Sequence, residues 1–349
     1  MDPKLTARTP PDEFRARLNC LTDKGSQSRL SQPHSMKQIA LLLLVIAGAL
    51  QAADNIPTYL DPAAGGLDYK DQGEYANNWG GAQVIALGSN EFRMVTYPGG
   101  LPGDGWNKET RTETPGKREG NKIVFSGPNS YRAELNDGKM SITTASGGPY
   151  EMTKKERKSP TLGAKPPARA IVLLDGTSAD AWEDGHLDDR KLLFAGCKRK
   201  QAFGSFTAHI EFLLPFKPLG RGQDRGNSGI YLQDRYEVQV LDSFGLKGET
   251  NECGGIYTQA KPAVNMCFPP LQWQTYDIDF TTAQYDAAGA KTKNAVLTLK
   301  HNGVTIHDGL EFKTHTPGNG LKENAAPGPL QLQGHGNPVF YRNIWVQPK

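Results

Sequence analysis

The chain carries no CxxC, no HExxH and no other compact metal-ligand spacing, so zinc ribbons, thioredoxin-like redox motifs and zincins are not encoded in their usual form. It also lacks a dominant charge: the formal net value is +3, which argues against a nucleic-acid-binding face and against attraction to an anionic membrane. Amphipathic helical periodicity of useful length is missing. One long apolar run stands out, Ile39 to Leu50, and it is too short for a comfortable bilayer span. What is abundant instead is turn-forming: 39 Gly and 24 Pro, against an apolar content of 37%. That balance predicts an all-β globular protein, long enough for two domains.

The N-terminal residues divide into two parts. Residues 1–35 are polar and aperiodic, and read as a mis-called gene start or a disordered leader. Then Met36-Lys37-Gln38, the apolar run and the small-residue exit at Ala52-Ala53 come in the order of a secretory signal peptide, over 36–53. The expectation is a secreted or periplasmic protein with no stable transmembrane segment after processing; a retained N-terminal anchor is the rival. Of four cysteines, Cys20 would be removed with the leader. In an oxidising compartment Cys253 and Cys267, which bracket a loop containing Pro262, are expected to form a disulfide worth about 3 kcal/mol. Cys197 is then left over, as a small buried apolar residue.

Residues 54–150 read as a small β-rich domain. Strand-length runs at 83–87, 91–97, 122–125, 130–135 and 139–143 are punctuated by Gly, Asn, Asp and Pro. Trp79 and Trp106 are either stacking surfaces for a ligand or parts of a small core. Residues 151–168, charged and proline-bearing, have the composition of a linker. From 169 to 349 short alternating strands continue to the end. Phe206, Ala208, Ile210 and Phe212 oppose Thr207, His209 and Glu211; Asn302-Gly303 is a type I′ hairpin signal. The class is a β sandwich or jelly roll.

The densest polar cluster is the stretch from Arg221 to Cys267. Its hairpin strands are 229–233 and 237–241. A two-residue turn at Asp234-Arg235 would mix charge and aliphatics on both faces. Adding Tyr236 to the loop pairs Glu237 with Gln233 and Gln239 with Tyr231, and puts Ile230, Leu232, Val238 and Val240 together on an apolar face. A one-residue slip flips every side chain, so burial selects this second register. The polar face then carries Tyr231, Gln233, Glu237 and Gln239. Neighbouring strands are candidates to add His209, Glu211, Gln331 and Gln333. A sugar is the expected ligand.

The second domain resembles the 3-keto-disaccharide hydrolase domain family, a concanavalin A-like lectin/glucanase sandwich. The matching segments are LLDGTSADAW (173–182), FGSFTAHIEF (203–212), RGNSGIYLQDRYEVQVLDS (225–243), CGGIY (253–257), WQTYDIDF (273–280), NG (302–303) and LQGHGNPVFYRNIWV (332–346). The resemblance implies a concanavalin A-like jelly roll over 169–349 and cleavage of a glycosidic bond in a sugar oxidised at C3. A C3 ketone acidifies the C2 proton, so a base can drive loss of the C1 leaving group and water can then add. Such chemistry needs a base, a donor to the ketone oxygen and an acid at the glycosidic oxygen.

Glu237 and His335 are the expected proton-transfer pair. Arg225, Asn227, Gln239 or a bound cation would hold the enolate oxygen. Trp273 would stack on the sugar, Gln333 would bind a hydroxyl, and Tyr231 and Gln233 complete the substrate-binding set. A divalent cation, calcium or manganese, would have Asp242 as ligand, unless Asp242 instead anchors a ligand loop. Family members commonly read Leu-Gln-Asp-His-Gly where this chain has Gly334 between Gln333 and His335, a departure that bears on activity. The chain also lacks the alternating Glu-x-Asp-x-Glu carboxylates of double-displacement glucanases: Glu237-Val238-Gln239 has an amide where the next acid would be. The expected partner is an oligosaccharide or glycoside, with no nucleic acid. A lectin-like binding module and a structural envelope protein are the alternatives to an enzyme.

Overall fold

The computed structural model describes residues 56–318 and 320–349. The leader, the signal segment and Cys20 lie outside the described residues. One helix of six residues, Gly66–Asp71, precedes a run of strands.

The first eight strands are β1 (Gly73–Ala76), β2 (Gly80–Gly88), β3 (Glu91–Pro98), β4 (Thr112–Glu119), β5 (Lys122–Ser126), β6 (Arg132–Asn136), β7 (Lys139–Thr144) and β8 (Gly147–Lys155). Each pairs antiparallel with the next, and β8 returns to β1 with Tyr75 opposite Lys154, closing a barrel without free edges. Tyr75, Val84, Phe92, Met94, Phe125, Leu135 and Met140 fill its interior, as alternation along half-buried strands requires.

The barrel corrects the domain boundary at its end. Residues 151–155, expected to belong to a linker, are the second half of β8. Glu151 and Lys155 face water on this strand, Lys154 is half-buried and Met152 is buried, which is why its composition resembles that of a solvated connection. Beyond β8 the chain runs as a strap. Arg157 forks onto Glu74 at 2.6 and 2.7 Å and donates to the carbonyl of Pro102. Ser159 Oγ lies 2.6 Å from Thr275 Oγ1, Thr161 Oγ1 donates to Asp277 at 2.7 Å, and the Gly163 amide donates to Glu211 at 2.6 Å.

The remaining strands are β9 (Ile171–Leu174), β10 (Trp182–Glu183), β11 (Leu193–Phe194), β12 (Cys197–Phe203), β13 (Phe206–Leu213), β14 (Ser228–Leu232), β15 (Tyr236–Val240), β16 (Gln274–Thr281), β17 (Gln284–Tyr285), β18 (Lys291–Lys293), β19 (Ala295–His301), β20 (Val304–Phe312), β21 (Gly328–Leu332) and β22 (Phe340–Pro348). They form a five-stranded sheet, β10-β12-β21-β14-β15, facing a seven-stranded sheet, β11-β22-β13-β16-β19-β20 with β9 beside β22, and β17 and β18 make a separate two-stranded ribbon. Between them lies one apolar core that includes Phe206, Ile210, Phe212, Ile230, Leu232, Val238, Val240 and Leu332. The architecture is the expected all-β sandwich preceded by a smaller β domain. Asn302 and Gly303 take positive φ of 49° and 81° in the tight β19–β20 turn.

The central hairpin keeps the expected faces but shifts its register by two residues. Tyr231 is opposite Glu237, Gly229 opposite Gln239, and Leu232 opposite Tyr236. The loop is therefore 233–235, with Gln233 and Asp234 both at φ 55° and the Arg235 amide bonded to the Leu232 carbonyl. A two-residue shift preserves parity, so burial alone did not distinguish the two registers.

Cys197, Cys253 and Cys267 are free thiols, which corrects the expected disulfide. Cys253 and Cys267 both lie in the closed core, where Cys253 is 3.2 Å from the Tyr276 hydroxyl and Cys267 donates to the Leu241 carbonyl.

Candidate functional site

β14, β15 and the end of β21 direct alternate side chains away from the core, and loops cover them. The result is a cleft of about 290 Å³ lined by Asn227, Tyr231, Glu237, Gln239, Gln333 and His335, small for a ligand pocket. Six of the residues singled out in the sequence thus meet in one place. Glycine makes room for them: a Cβ on Gly229 would come within 2.4 Å of Glu237 Oε1, and one on Gly318 within 2.5 Å of the Tyr231 hydroxyl.

Glu237 is 4% exposed. Burial raises its pKa to about 7, and the Tyr231 hydroxyl, donating to Oε2 at 2.9 Å, offsets part of that rise. Gln333 Nε2 donates to Tyr231 at 3.3 Å, while Gln333 Oε1 is buried without a partner among the described residues. On the other side, Gln239 Nε2 donates to Gln223 at 2.9 Å and to Asn227 at 3.0 Å. His335 is exposed on the rim. Glu237 is the one carboxylate among the lining residues.

A loop fixes the wall opposite. The Glu237 amide donates to Thr316 Oγ1 at 2.9 Å, and buried Arg235 donates to the carbonyls of Lys322 and Ala326 and to Asn324 Oδ1. This holds Pro317 and Gly318 over Tyr231.

Other expected members lie elsewhere. Gln233 sits in the turn, where its amide donates to the Phe203 carbonyl at 2.8 Å. Trp273 is absent from the lining; Arg342 stacks 3.8 Å from its ring centre, and it packs with Leu192, Leu213 and Phe340. Arg225 and Asp242 are a buried ion pair, with Nε and Nη2 both on Asp242 Oδ2 at 3.0 and 2.6 Å. Asp242 is thereby neutralised, and no group of three or more His, Cys, Asp or Glu suited to a metal occurs among the described residues. The residues around Asp242 do not fit a resident cation.

His209 and Glu211 belong to β13, in the opposite sheet. Burial would lower the His209 pKa, yet bonds to Asp277 at 2.6 Å and Glu211 at 3.3 Å raise it to about 9. Burial would raise Glu211, yet His209, Asn343, Arg342 and the Gly163 amide hold it at about 2. This network anchors the strap and does not face the cleft.

Sequence reasoning missed Gln223, Tyr257, Pro317 and Gly318. Gln223 lies in a short 3-10 turn, Gly222–Asp224, within the polar stretch, and Tyr257 ends the CGGIY segment, so both carried a signal. Pro317 and Gly318 carried none.

Gly334 has a local reason. A Cβ there would lie 2.8 Å from the Cα of Gly196, whose amide is bonded to the Leu332 carbonyl. The backbone of 195–196 fills the space that a side chain would need.

A β sandwich with this acid-and-amide cleft is that of a carbohydrate-active protein with a glycoside hydrolase-like role. Residues 169–347 match the 3-keto-alpha-glucoside-1,2-lyase-like domain, and the chain belongs to that family. Among solved structures, it is similar to a candidate glycosyl hydrolase from Parabacteroides distasonis ATCC 8503, at 32% identity and a TM-score of 0.48, over 52% of this chain and 85% of that one. A second candidate glycosyl hydrolase from the same organism matches at 15% identity and a TM-score of 0.37, over 52% and 94% of the two chains. No curated protein matches. No helix among the described residues is long and apolar enough to cross a membrane.

Proposed function

We propose that the chain cleaves glycosides already oxidised at C3, by elimination followed by hydration. The observation that carries this reading is Glu237: a single buried carboxylate with a pKa of about 7, in a cleft with no second acid. Two-carboxylate glycosidase chemistry needs a partner acid that the lining lacks. A base poised near neutrality suits proton abstraction next to a ketone.

In the proposed step, Glu237 takes the C2 proton. The C2–H electrons form the C1=C2 bond as the C1–O bond breaks, and His335 protonates the departing oxygen. Amide donors from Asn227 and Gln333 stabilise charge building on the C3 oxygen. Water then adds hydrogen to C2 and hydroxyl to C1, giving net hydrolysis. The family name, with its 1,2-lyase, supports the first half of this sequence.

Glu237→Gln and His335→Ala should each abolish aglycone release from a 3-keto-glucoside while leaving the circular dichroism spectrum unchanged. Normal turnover in both variants would refute the mechanism. Gly334, where the family commonly has Asp, favours a second reading, sugar binding without turnover; calorimetric binding with no product from any keto-sugar is its signature. Export through 36–53 belongs to the same proposal, and N-terminal sequencing of protein from the periplasm or medium tests it.

A further inference from the structure

We propose that the open end of the eight-stranded barrel is a second, non-catalytic site for an uncharged saccharide ring. The proposal rests on the carbohydrate-active character of the chain, not on elimination chemistry. A cavity of about 490 Å³ lies where β2 begins, β3 and β7 end, and β8 begins. Ile142 and Met152, which belong to the barrel core, line it from below. It shares no lining residue with the Glu237 cleft. Barrel mouths are recurrent ligand sites.

Two exposed rings mark the entrance. Trp79 is 52% and Tyr150 39% exposed, with centroids 5.4 Å apart at 76°. Leaving so much aromatic surface in water is unfavourable, at roughly 25 cal/mol per Å² of apolar area. The indole is nevertheless held out on a rigid mount. Asn77 Oδ1 accepts the amides of Trp79 and Gly80 at 3.1 and 3.0 Å, Asn77 Nδ2 donates to the Glu151 carbonyl, and the Trp79 carbonyl accepts from the Gly99 amide.

The lining chooses the ligand. It contains no Asp, Glu, Lys, Arg or His, so the occupant is neutral. Thr96, Thr144 and Ser146 bring hydroxyls beside the rings, and the Tyr131 hydroxyl is buried without a partner among the described residues. Phe92, Met94, Phe125 and Met140 fill the barrel below, so an acyl chain has no depth to enter. A flat ring with one apolar face and a polar edge fits across the mouth, and a pyranose has that form.

The test titrates cellotriose, maltotriose and laminaritriose into the full chain by calorimetry. At least one should bind the wild type and the Glu237→Gln variant equally, and Trp79→Ala should weaken it by about tenfold or more. Trp79→Tyr, which keeps an aromatic face, should fall between them, and Tyr131→Phe should weaken binding less than Trp79→Ala. Loss in Glu237→Gln with retention in Trp79→Ala would assign the sugar to the cleft and overturn the proposal, as would no binding of any trisaccharide at millimolar concentration. Aglycone release by Trp79→Ala should match wild type, so a failed catalytic assay and a failed barrel assay are read separately.

Discussion

Replacing Tyr231 by Phe removes the hydroxyl that donates to Glu237 and leaves the ring under Gly318. A hydrogen bond to an ionised acceptor is worth ~1.5–3 kcal/mol and one to a neutral acceptor ~0.5–1.5, so the ionised form of Glu237 loses about 1 kcal/mol more than the protonated form. At 1.36 kcal/mol per pH unit, this moves the Glu237 pKa up by about 0.7, from about 7 toward 8. If Glu237 is the base, kcat/KM for a chromogenic 3-keto-glucoside rises with pH along a limb set by that pKa. In Tyr231→Phe the limb shifts upward, so activity falls about fivefold at pH 6 and much less at pH 9. Infrared titration of the carboxyl stretch, with Glu237→Gln as the blank, reads the same shift without turnover. An unmoved limb, or one that moves to lower pH, refutes the assignment.

The same contacts set three further outcomes. Glu237 has a folded pKa above its unfolded one, so its contribution to stability is present below about pH 4.5 and lost as pH rises through about 7; Glu237→Gln should therefore stabilise the fold at pH 8 by up to ~3 kcal/mol, read as a higher Tm, and change little at pH 4. His209 is also raised, to about 9, so its stabilisation is complete below about pH 6.5 and fades through 9, whereas Glu211, lowered to about 2, loses its contribution only as pH falls below about 4.5 toward 2. The His209–Glu211 bond enters both shifts and counts once; His209→Asn should flatten the decline of Tm between pH 7 and 10. Gly334→Asp should lower Tm through an overpacking cost of ~1–3 kcal/mol and not raise activity, because its Cβ meets the Gly196 backbone; a gain in kcat would show that the loop yields easily.

The faces of the central hairpin were legible because Ile230, Leu232, Val238 and Val240 can share a core only in one parity. Its register was not, because a Gln233–Asp234 turn with both φ positive lacks the usual Asn-Gly signal. Glu237 and His335 were brought to one cleft from 98 positions apart by the pairing of β14 with β21, which the family resemblance anticipated and periodicity alone did not. The residues outside the cleft are of another kind. Arg225, Asp242 and Trp273 have the chemistry of a sugar site but stand outside the cleft lining, Arg225 and Asp242 paired with each other and Trp273 under Arg342. His209 and Glu211 alternate correctly along β13, yet nothing in alternation says which sheet a strand joins.

Kinship and cohesion draw different boundaries in this molecule. The family match begins at 169, but Phe216 of the matched half is buried in the barrel's own cluster, and Phe244 packs with Ile85, Val95 and Tyr97. Arg221 donates to the Leu87 carbonyl, and a Cβ on Gly88 would run into the Leu219 side chain. Cutting the chain at 168 would strip both phenylalanines of their cover and leave two aromatic patches facing water. The piece excised along the family boundary should therefore self-associate, which makes the barrel a standing part of the matched half's solubility.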